Sequence, residues 1–361
     1  MSIINKQQAR EVGAQLGETF RQLKLTRSVA LMEVCGTHTH ALFRSGIRSL
    51  LPPEIRLISG PGCPVCVTPP GYVDLAQEIA SYSDVIITTF GDMMRVPGSK
   101  GSLLESQANG ADIRIVYSPL DVLEIARSNP AKKIIFLAVG FETTVPTVAA
   151  TIERAATQGL ANLTFLTAHK VVPNALRALL NDPEISLDGF LLPGHVSTVT
   201  GFGLFSFLRE EYHIPAVVAG FEPVEMLAAL IKLSTLAANK QPLLVNVYGG
   251  LVTEEGNIRA QALVEKVFTL ADVTWRGIGT IPGSGLVLKP EYSNFDARLV
   301  FGLEESQNAG PAGCLCGEIL KGKKIPPDCS LFKTVCNPEK PVGPCMVSSE
   351  GTCGAYYKYH N

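Results

Sequence analysis

Nine cysteines carry most of the reactive chemistry in this 361-residue chain, and they fall into two groups. Three lie between Cys35 and Cys66, none falls between residues 67 and 313, and six crowd into Cys314–Cys353. Cys63-Pro64-Val65-Cys66 follows the rigid Gly60-Pro61-Gly62. That spacing allows a reversible disulfide, and a nearby helix N-terminus would lower a thiol pKa and raise its reactivity. It is equally half of a zinc site, with Cys35 and His38 able to complete a Cys3His tetrahedron. A packing role as buried cysteines fits less well, because Pro and Gly flank the pair rather than core strand residues. In the tail, Cys314, Cys316, Cys329, Cys336, Cys345 and Cys353 match neither ferredoxin spacing. Sulfur-only ligation suits an iron–sulfur cluster ahead of structural zinc, and spacing leaves open which four of the six ligate.

The remaining polar candidates carry weaker signals. His195, between Gly194 and Val196 after an apolar run, reads either as a core histidine or as one lining a cleft. His169 and Lys170 are similar and less specific. Glu142, ahead of Thr143-Thr144, has a plain reading as a carboxylate near a helix N-terminus. His40 and His213 read as structural or exposed. No turn reproduces G-x-G-x-x-G or a P-loop, so a nucleotide site has no positive support.

The elements that must position these groups alternate. Val29–Val34, Arg56–Ser59, Asp84–Thr89, Asp112–Tyr117, Lys133–Val139, Leu163–Thr167, Phe190–Leu192 and Ala216–Val218 read as buried strands. Helical spacing separates several of them, as in Val73-Leu75-Ala76-Ile79-Ala80. Strands alternating with helices imply an α/β fold with parallel sheets covered on both faces. Eight strands suggest two α/β lobes, 1–120 and 121–240, dividing near Ser118–Asp121. After 240 a helical stretch, Ile258–Leu270, precedes Gly/Pro-rich Thr280–Gly285 and the cysteine-dense tail, so 241–361 reads as a third, cofactor-bearing domain. Nearly all the rare chemistry sits just beyond predicted strand ends, where open α/β sheets bind ligands.

Composition bounds the class. With 31 Lys+Arg against 33 Asp+Glu the formal charge is −2, which argues against nucleic acid and against a polybasic membrane surface. Charged residues at 18% and hydrophobic ones at 46% argue against disorder. The polar start Met1–Gln8 has no apolar signal core, and no apolar run is long enough to span a bilayer. The chain therefore reads as cytoplasmic, where disulfides are rare and cysteine clusters mean metal or redox chemistry.

Taken together, these motifs resemble the HypD family of [NiFe]-hydrogenase maturation proteins. The resemblance rests on Cys35-Gly36-Thr37-His38, Gly60-Pro61-Gly62-Cys63-Pro64-Val65-Cys66 and Gly140-Phe141-Glu142-Thr143-Thr144. It extends through Pro193-Gly194-His195-Val196-Ser197, Ala219-Gly220-Phe221-Glu222-Pro223, Cys345–Cys353 and Tyr356-Tyr357-Lys358-Tyr359, covering nearly the full length in order. It implies two Rossmann-like lobes around a cleft and a third domain holding a [4Fe-4S] cluster. It also implies a scaffold, rather than a conventional turnover enzyme, on which iron acquires two cyanides and a carbon monoxide. The implied partners are the small chaperone HypC and HypE, which donates cyanide from a thiocyanate. The family's cluster pattern falls on Cys314, Cys329, Cys336 and Cys353, leaving Cys316 and Cys345 without roles. Cys35 becomes the iron-binding candidate, with His38 as a ligand or proton relay, and Cys63 with Cys66 the two-electron couple. The second lobe would bring Glu142 and His195 to the cleft. The competing readings are an iron–sulfur thiol oxidoreductase acting on protein disulfides, and a zinc-stabilised binding protein.

Overall fold

Short aliphatic and β-branched runs become strands, and a turn into a helix follows most of them. Helices Pro64–Val67, Pro70–Ala80, Val145–Thr157, Val172–Leu180 and Pro223–Ala238 each carry a proline in their first two positions. There the missing N–H is no loss and the fixed φ starts the helix. The computed structural model describes residues 6–306 and 310–360, so Met1–Asn5 of the polar N-terminus lie outside the described residues. Within them the strands are β1 Val29–Glu33, β2 Ile55–Ser59, β3 Val85–Thr89, β4 Ile113–Ile115, β5 Lys133–Gly140 and β6 Leu163–Lys170. They continue with β7 Gly189–Pro193, β8 Ala216–Ala219, β9 Leu244–Asn246, β10 Phe268–Trp275 and β11 Gly279–Leu288.

These strands form two sheets, as the α/β reading expects. The first has the order β2-β1-β7-β8-β9 and is parallel throughout. The second has the order β10-β11-β6-β5-β3-β4; it is parallel from β6 to β4, with β11 antiparallel to β6 and to β10. Helices fill the faces. Pro70–Ala80 buries Val73, Leu75, Ala76 and Ile79, and its Tyr72 hydroxyl donates to the Leu166 carbonyl of β6 at 2.7 Å.

The strands do not sort at Ser118–Asp121. β3 and β4, which precede that point, pair in the sheet of β5 and β6, while β7 and β8 return to β1 and β2. Parallel strands are joined by long crossovers, so a chain can leave one sheet, build another and come back. Residues 241–361 are likewise no separate unit in their strand pairing, since β9 closes the first sheet and β10–β11 the second. The expected helix Ile258–Leu270 ends at Val267, and its last residues begin β10. Thr280–Gly285 lies within β11, its Pro282 falling in the irregular stretch between the paired Ile281 and Gly285. Proline is tolerated there because that stretch owes no ladder hydrogen bond.

The cysteine-rich tail packs against both sheets through particular residues. On the first, Phe43 and Tyr356 meet edge to face at 4.7 Å, and Tyr359 reaches His40 at 3.2 Å. On the second, the β10–β11 turn presses on the start of helix Cys316–Leu320. Gly277 has φ +74°, and a Cβ there would lie 2.3 Å from Gly317 Cα.

Glu142 follows β5 and is buried. Its Oε1 accepts the Val172 N–H at 2.7 Å, satisfying the first turn of helix Val172–Leu180. Its Oε2 is buried without a partner among the described residues. Burial pushes this carboxyl up from 4.5 to about 7.

Two predictions follow the packing. Gly277→Ala meets both left-handed strain and backbone contact, so it should lower stability by about 1–3 kcal/mol; an unchanged thermal midpoint would contradict the contact. The second concerns pH. The unfolded chain ionises Glu142 near 4.5 while the folded chain holds the proton to about 7. Its contribution is whole below 4.5 and is lost as pH rises through 7. Glu142→Gln, neutral throughout, should therefore gain on the parent across that window by on the order of 3 kcal/mol. Glu33 titrates in the same range and cancels in the comparison. A melting difference independent of pH would refute the assignment.

Candidate functional site

β2, β1, β7 and β8 lie side by side, so the residues after their carboxyl ends share one edge of the first sheet. Those residues are Gly60–Cys66, Cys35–His38, Gly194-His195 and Gly220-Phe221. Cys35 stands at the N-cap of helix Gly36–Arg44, in extended conformation. The Gly36 N–H donates to the Gly62 carbonyl at 2.9 Å, and a Cβ on Gly62 would lie 2.3 Å from the Cys35 nitrogen. Only glycine allows that approach, and it sets the Cys63–Cys66 loop directly against Cys35. Burial pushes the Cys35 thiol up to about 12; the Glu350 and Glu33 carboxylates push the same way, against the N–H groups of His38 and Thr37.

His38 is fully buried, with Nε2 2.9 Å from the Gly220 carbonyl. A carbonyl only accepts, so Nε2 carries the proton and Nδ1 keeps its lone pair. Nδ1 has no hydrogen-bond partner among the described residues. Burial holds the ring down at about 4, hence neutral at ordinary pH. Phe221 stacks on His38 at 4.6 Å and on the exposed His195 at 3.9 Å, making a column from interior to surface. The edge thus offers a buried thiol, a neutral imidazole with a free lone pair, and a second imidazole at the mouth.

Cys63 is the N-cap of the short helix Pro64–Val67 and Cys66 lies within it, its N–H donating to Cys63 Sγ at 3.3 Å. Helix Pro64–Val67, which carries Cys66, packs on the turn Pro344–Met346, which carries Cys345. Burial is the chief influence on Cys66 and pushes it well above its ordinary value. Cys314, Cys316, Cys329, Cys336 and Cys353 line one small pocket together with Ile319, Leu331, Phe332, Gly343 and Met346. That lining has no carboxylate or imidazole. Cys336 Sγ accepts the Val342 N–H at 3.3 Å, and a Cβ on Gly343 would lie 2.8 Å from both Cys314 and Cys316 Sγ. Among the described residues the thiols do not yet converge as a ready ligand set. Their shared wall, their softness and the glycine cradle nonetheless fit a sulfur-ligated centre.

The structure therefore brings Cys35, His38, Cys63, Cys66 and His195 to one edge and gathers Cys314, Cys329, Cys336 and Cys353 at one pocket, while Glu142 is held by Val172 on the other sheet. Sequence reasoning missed three participants. Glu33 is fully buried, accepts from the Thr39 hydroxyl and the Cys35 N–H, and is pushed up to about 7 by burial. A lone acid inside an apolar strand run was its available signal. Glu350 accepts from Thr37 Oγ1 at 2.6 Å, and its Cβ would be 2.4 Å from one on Gly36. Phe221 spaces the two histidines. The last two lie within the motif blocks of the resemblance, but their roles come from tertiary contact. Of the two cysteines without roles in the sequence, Cys316 lines the pocket and Cys345 sits on the turn that packs against the Cys66 helix.

Among the described residues no helix is long and apolar enough to cross a membrane. The chain matches the HypD family, described as "Hydrogenase formation hypA family", over residues 7–360. It is 44% identical to Hydrogenase maturation factor HypD of Escherichia coli (strain K12), covering 99% of this chain and 98% of that protein. Identity to Hydrogenase maturation factor HypD of Rhodobacter capsulatus is 45%, with 92% and 90% covered. Hydrogenase maturation factor HypD2 of Bradyrhizobium diazoefficiens is also 45% identical, with 91% and 88% covered. With thiols, imidazoles and glycine contacts falling on the motifs that first carried the resemblance, and with matches of this extent, the chain belongs to the HypD family of hydrogenase maturation factors.

Proposed function

We propose that this protein is a redox-active scaffold on which the iron–dicyano–carbonyl group of [NiFe]-hydrogenase is assembled. Iron is the cargo, taken by the Cys35 thiolate with His38 Nδ1 as a second donor or proton acceptor. A HypC-type chaperone shares the iron, and a HypE-type partner presents cyanide as a thiocyanate at the exposed end of the His38–Phe221–His195 column. The observation that carries this reading is the continuity of sulfur. Cys316 lines the tail pocket, the turn bearing Cys345 packs on the short helix bearing Cys66, and the loop bearing Cys63 lies against Cys35.

The chemistry balances on these residues. Cleaving R–S–C≡N with the Cys63–Cys66 dithiol yields R–SH, HCN and one disulfide, so two electrons and two protons leave the pair together. Cys35, deprotonated by metal binding, is a soft donor suited to iron carrying cyanide and carbon monoxide. The neutral His38 can accept the proton released, since its free Nδ1 faces no competing donor. Cys314, Cys329, Cys336 and Cys353 would hold a [4Fe-4S] cluster, which supplies electrons one at a time when bound. A general disulfide reductase would need the same relay but no thiol at position 35.

Two measurements test this. Purified without oxygen, the protein should absorb near 400 nm and contain iron, whereas a colourless zinc-only protein would remove the cluster. An infrared spectrum of its complex with the chaperone should show bands of metal-bound cyanide and carbon monoxide. Cys35→Ser should lose those bands while keeping the 400 nm absorption. Support of hydrogenase maturation by that variant would leave the general reductase as the better reading.

A further inference from the structure

Two adjoining recesses open beside the cysteine pocket, between β2 and the turn that follows helix Cys316–Leu320. Their volumes are about 250 and 280 Å³, and they share Arg56, Ile58, Gly322 and Lys323. In a chain of net charge −2, each is lined by three cationic side chains and one carboxylate. Arg56, Lys323 and Lys324 stand with Asp328 in the first, and Arg56, Lys321 and Lys323 with Glu184 in the second. The backbone holds these cations in place. Gly322 has φ +74°, and a Cβ there would lie 2.6 Å from Ile58 Cγ2, so the turn is pressed onto β2. The N–H groups of Lys323 and Lys324 both donate to the Glu318 carbonyl, at 2.9 and 3.2 Å. Lys323 is paired with Asp182 and Glu184, and Lys321 lies 3.8 Å from Glu318. Arg56 and Lys324 are exposed and have no ion pair among the described residues, while the Asp328 carboxylate accepts the Ile325 N–H at 2.9 Å. Ile325, 48% exposed, lines the first recess with them.

Size argues against a metabolite, since each recess falls below the roughly 300–1,000 Å³ of dedicated small-ligand pockets. A hollow of this size takes a side chain of a docked protein, with an apolar contact at its centre and charge around it. Position indicates what that protein does. Ile319 lines both the first recess and the cysteine pocket, and Thr352, on the recess wall, is next in sequence to Cys353. We infer that this cationic face is the docking site of an acidic one-electron carrier protein, an inference that rests on the [4Fe-4S] reading proposed above. In each encounter the carrier gives up one electron to the tail centre and is itself oxidised, and no bond or proton changes hands. Electron-transfer encounters use small interfaces steered by charge, which suits a patch whose free cations are Arg56 and Lys324. Nucleic acid fits less well, because two unpaired cations neutralise only about two phosphates.

The experiment uses the whole protein, purified without oxygen and with its metal content intact, and an acidic [2Fe-2S] ferredoxin as the probe. Titration calorimetry should show the parent binding about tenfold more weakly at roughly 300 mM salt than at roughly 20 mM. The double variant Arg56→Glu, Lys324→Glu should lose about tenfold in affinity at the lower salt, with an unchanged melting temperature. Lys100→Glu, a reversal on an exposed loop after β3, should bind as the parent does. Lys324→Glu alone carries the test if the double variant does not fold. Oxidation of reduced ferredoxin by the protein should slow by a similar factor in the double variant. The methyl viologen radical cation, which needs no cationic dock, should reduce that variant no more slowly than the parent. Equal ferredoxin affinity or rate in parent and double variant overturns the inference, as does a DNA duplex that binds more tightly than ferredoxin. A parent that methyl viologen cannot reduce would instead fail the cluster reading, and the docking role would fall with it.

Discussion

Gly62 lies so close to Cys35 that a single methyl group would collide with the backbone, at 2.3 Å from the nitrogen and 2.5 Å from Cα. That contact joins the ends of β1 and β2 into one surface, supported by the Gly36 N–H on the Gly62 carbonyl. Remove it and Cys35 and the Cys63–Cys66 pair belong to separate loops. Glycine recurs wherever the site needs two backbones together, since Gly36 admits Glu350 and Gly277 and Gly317 admit each other. A site assembled by backbone approach has little slack, and small side-chain additions act on its geometry before they act on its chemistry.

Burial then decides the charge states. His38 is held neutral, Glu33 is pushed up to about 7, and the Cys35 and Cys66 thiols rise with them. A site that resists isolated charge in this way favours reactions in which charge enters already compensated. A metal cation meeting a thiolate is one such case. Glu33 and Glu350 both raise the cost of a bare Cys35 thiolate. The same carboxylates would favour a cation at that thiol, so the free thiol is quiet and the metal-bound one is not.

Local order was legible in the sequence because it is local. All eight strands read from apolar runs are present, and the α/β class follows from their alternation with helices. Which strands pair was not legible, because the chain leaves the first sheet after β2 and rejoins it at β7. The β10–β11 hairpin hid for a related reason: its glycines and Pro282 read as loop until an antiparallel partner and an irregular register accommodate them. At the site, Cys35, His38 and the Cys63–Cys66 pair announced themselves by type and spacing. Glu142 announced itself too, yet its oxygen satisfies a helix start 30 residues away in sequence. Phe141 and Phe221 begin from the same Gly-Phe-Glu triplet and meet different partners, Trp275 in one case and two histidines in the other.

The interleaving of the two sheets has a mechanical consequence for how the two groups of cysteines are held together. Cys63 and Cys66 follow a strand of the first sheet, Arg276 sits on the hairpin of the second, and Cys316 and Cys345 belong to the tail that touches both. Cysteines spread over three such parts keep their placement only if the parts are fixed to one another. One continuous core joins the two sheets and the tail, and named contacts pin it: Phe43 with Tyr356, Arg276 with Val67, Gly277 with Gly317, and Ser348 with Asp92 at 2.9 Å. The hairpin that looked like loop in the sequence is therefore what registers the second sheet against both the Cys66 helix and the cysteine-rich tail. Sheet topology sets the geometry here, and the cysteines report it.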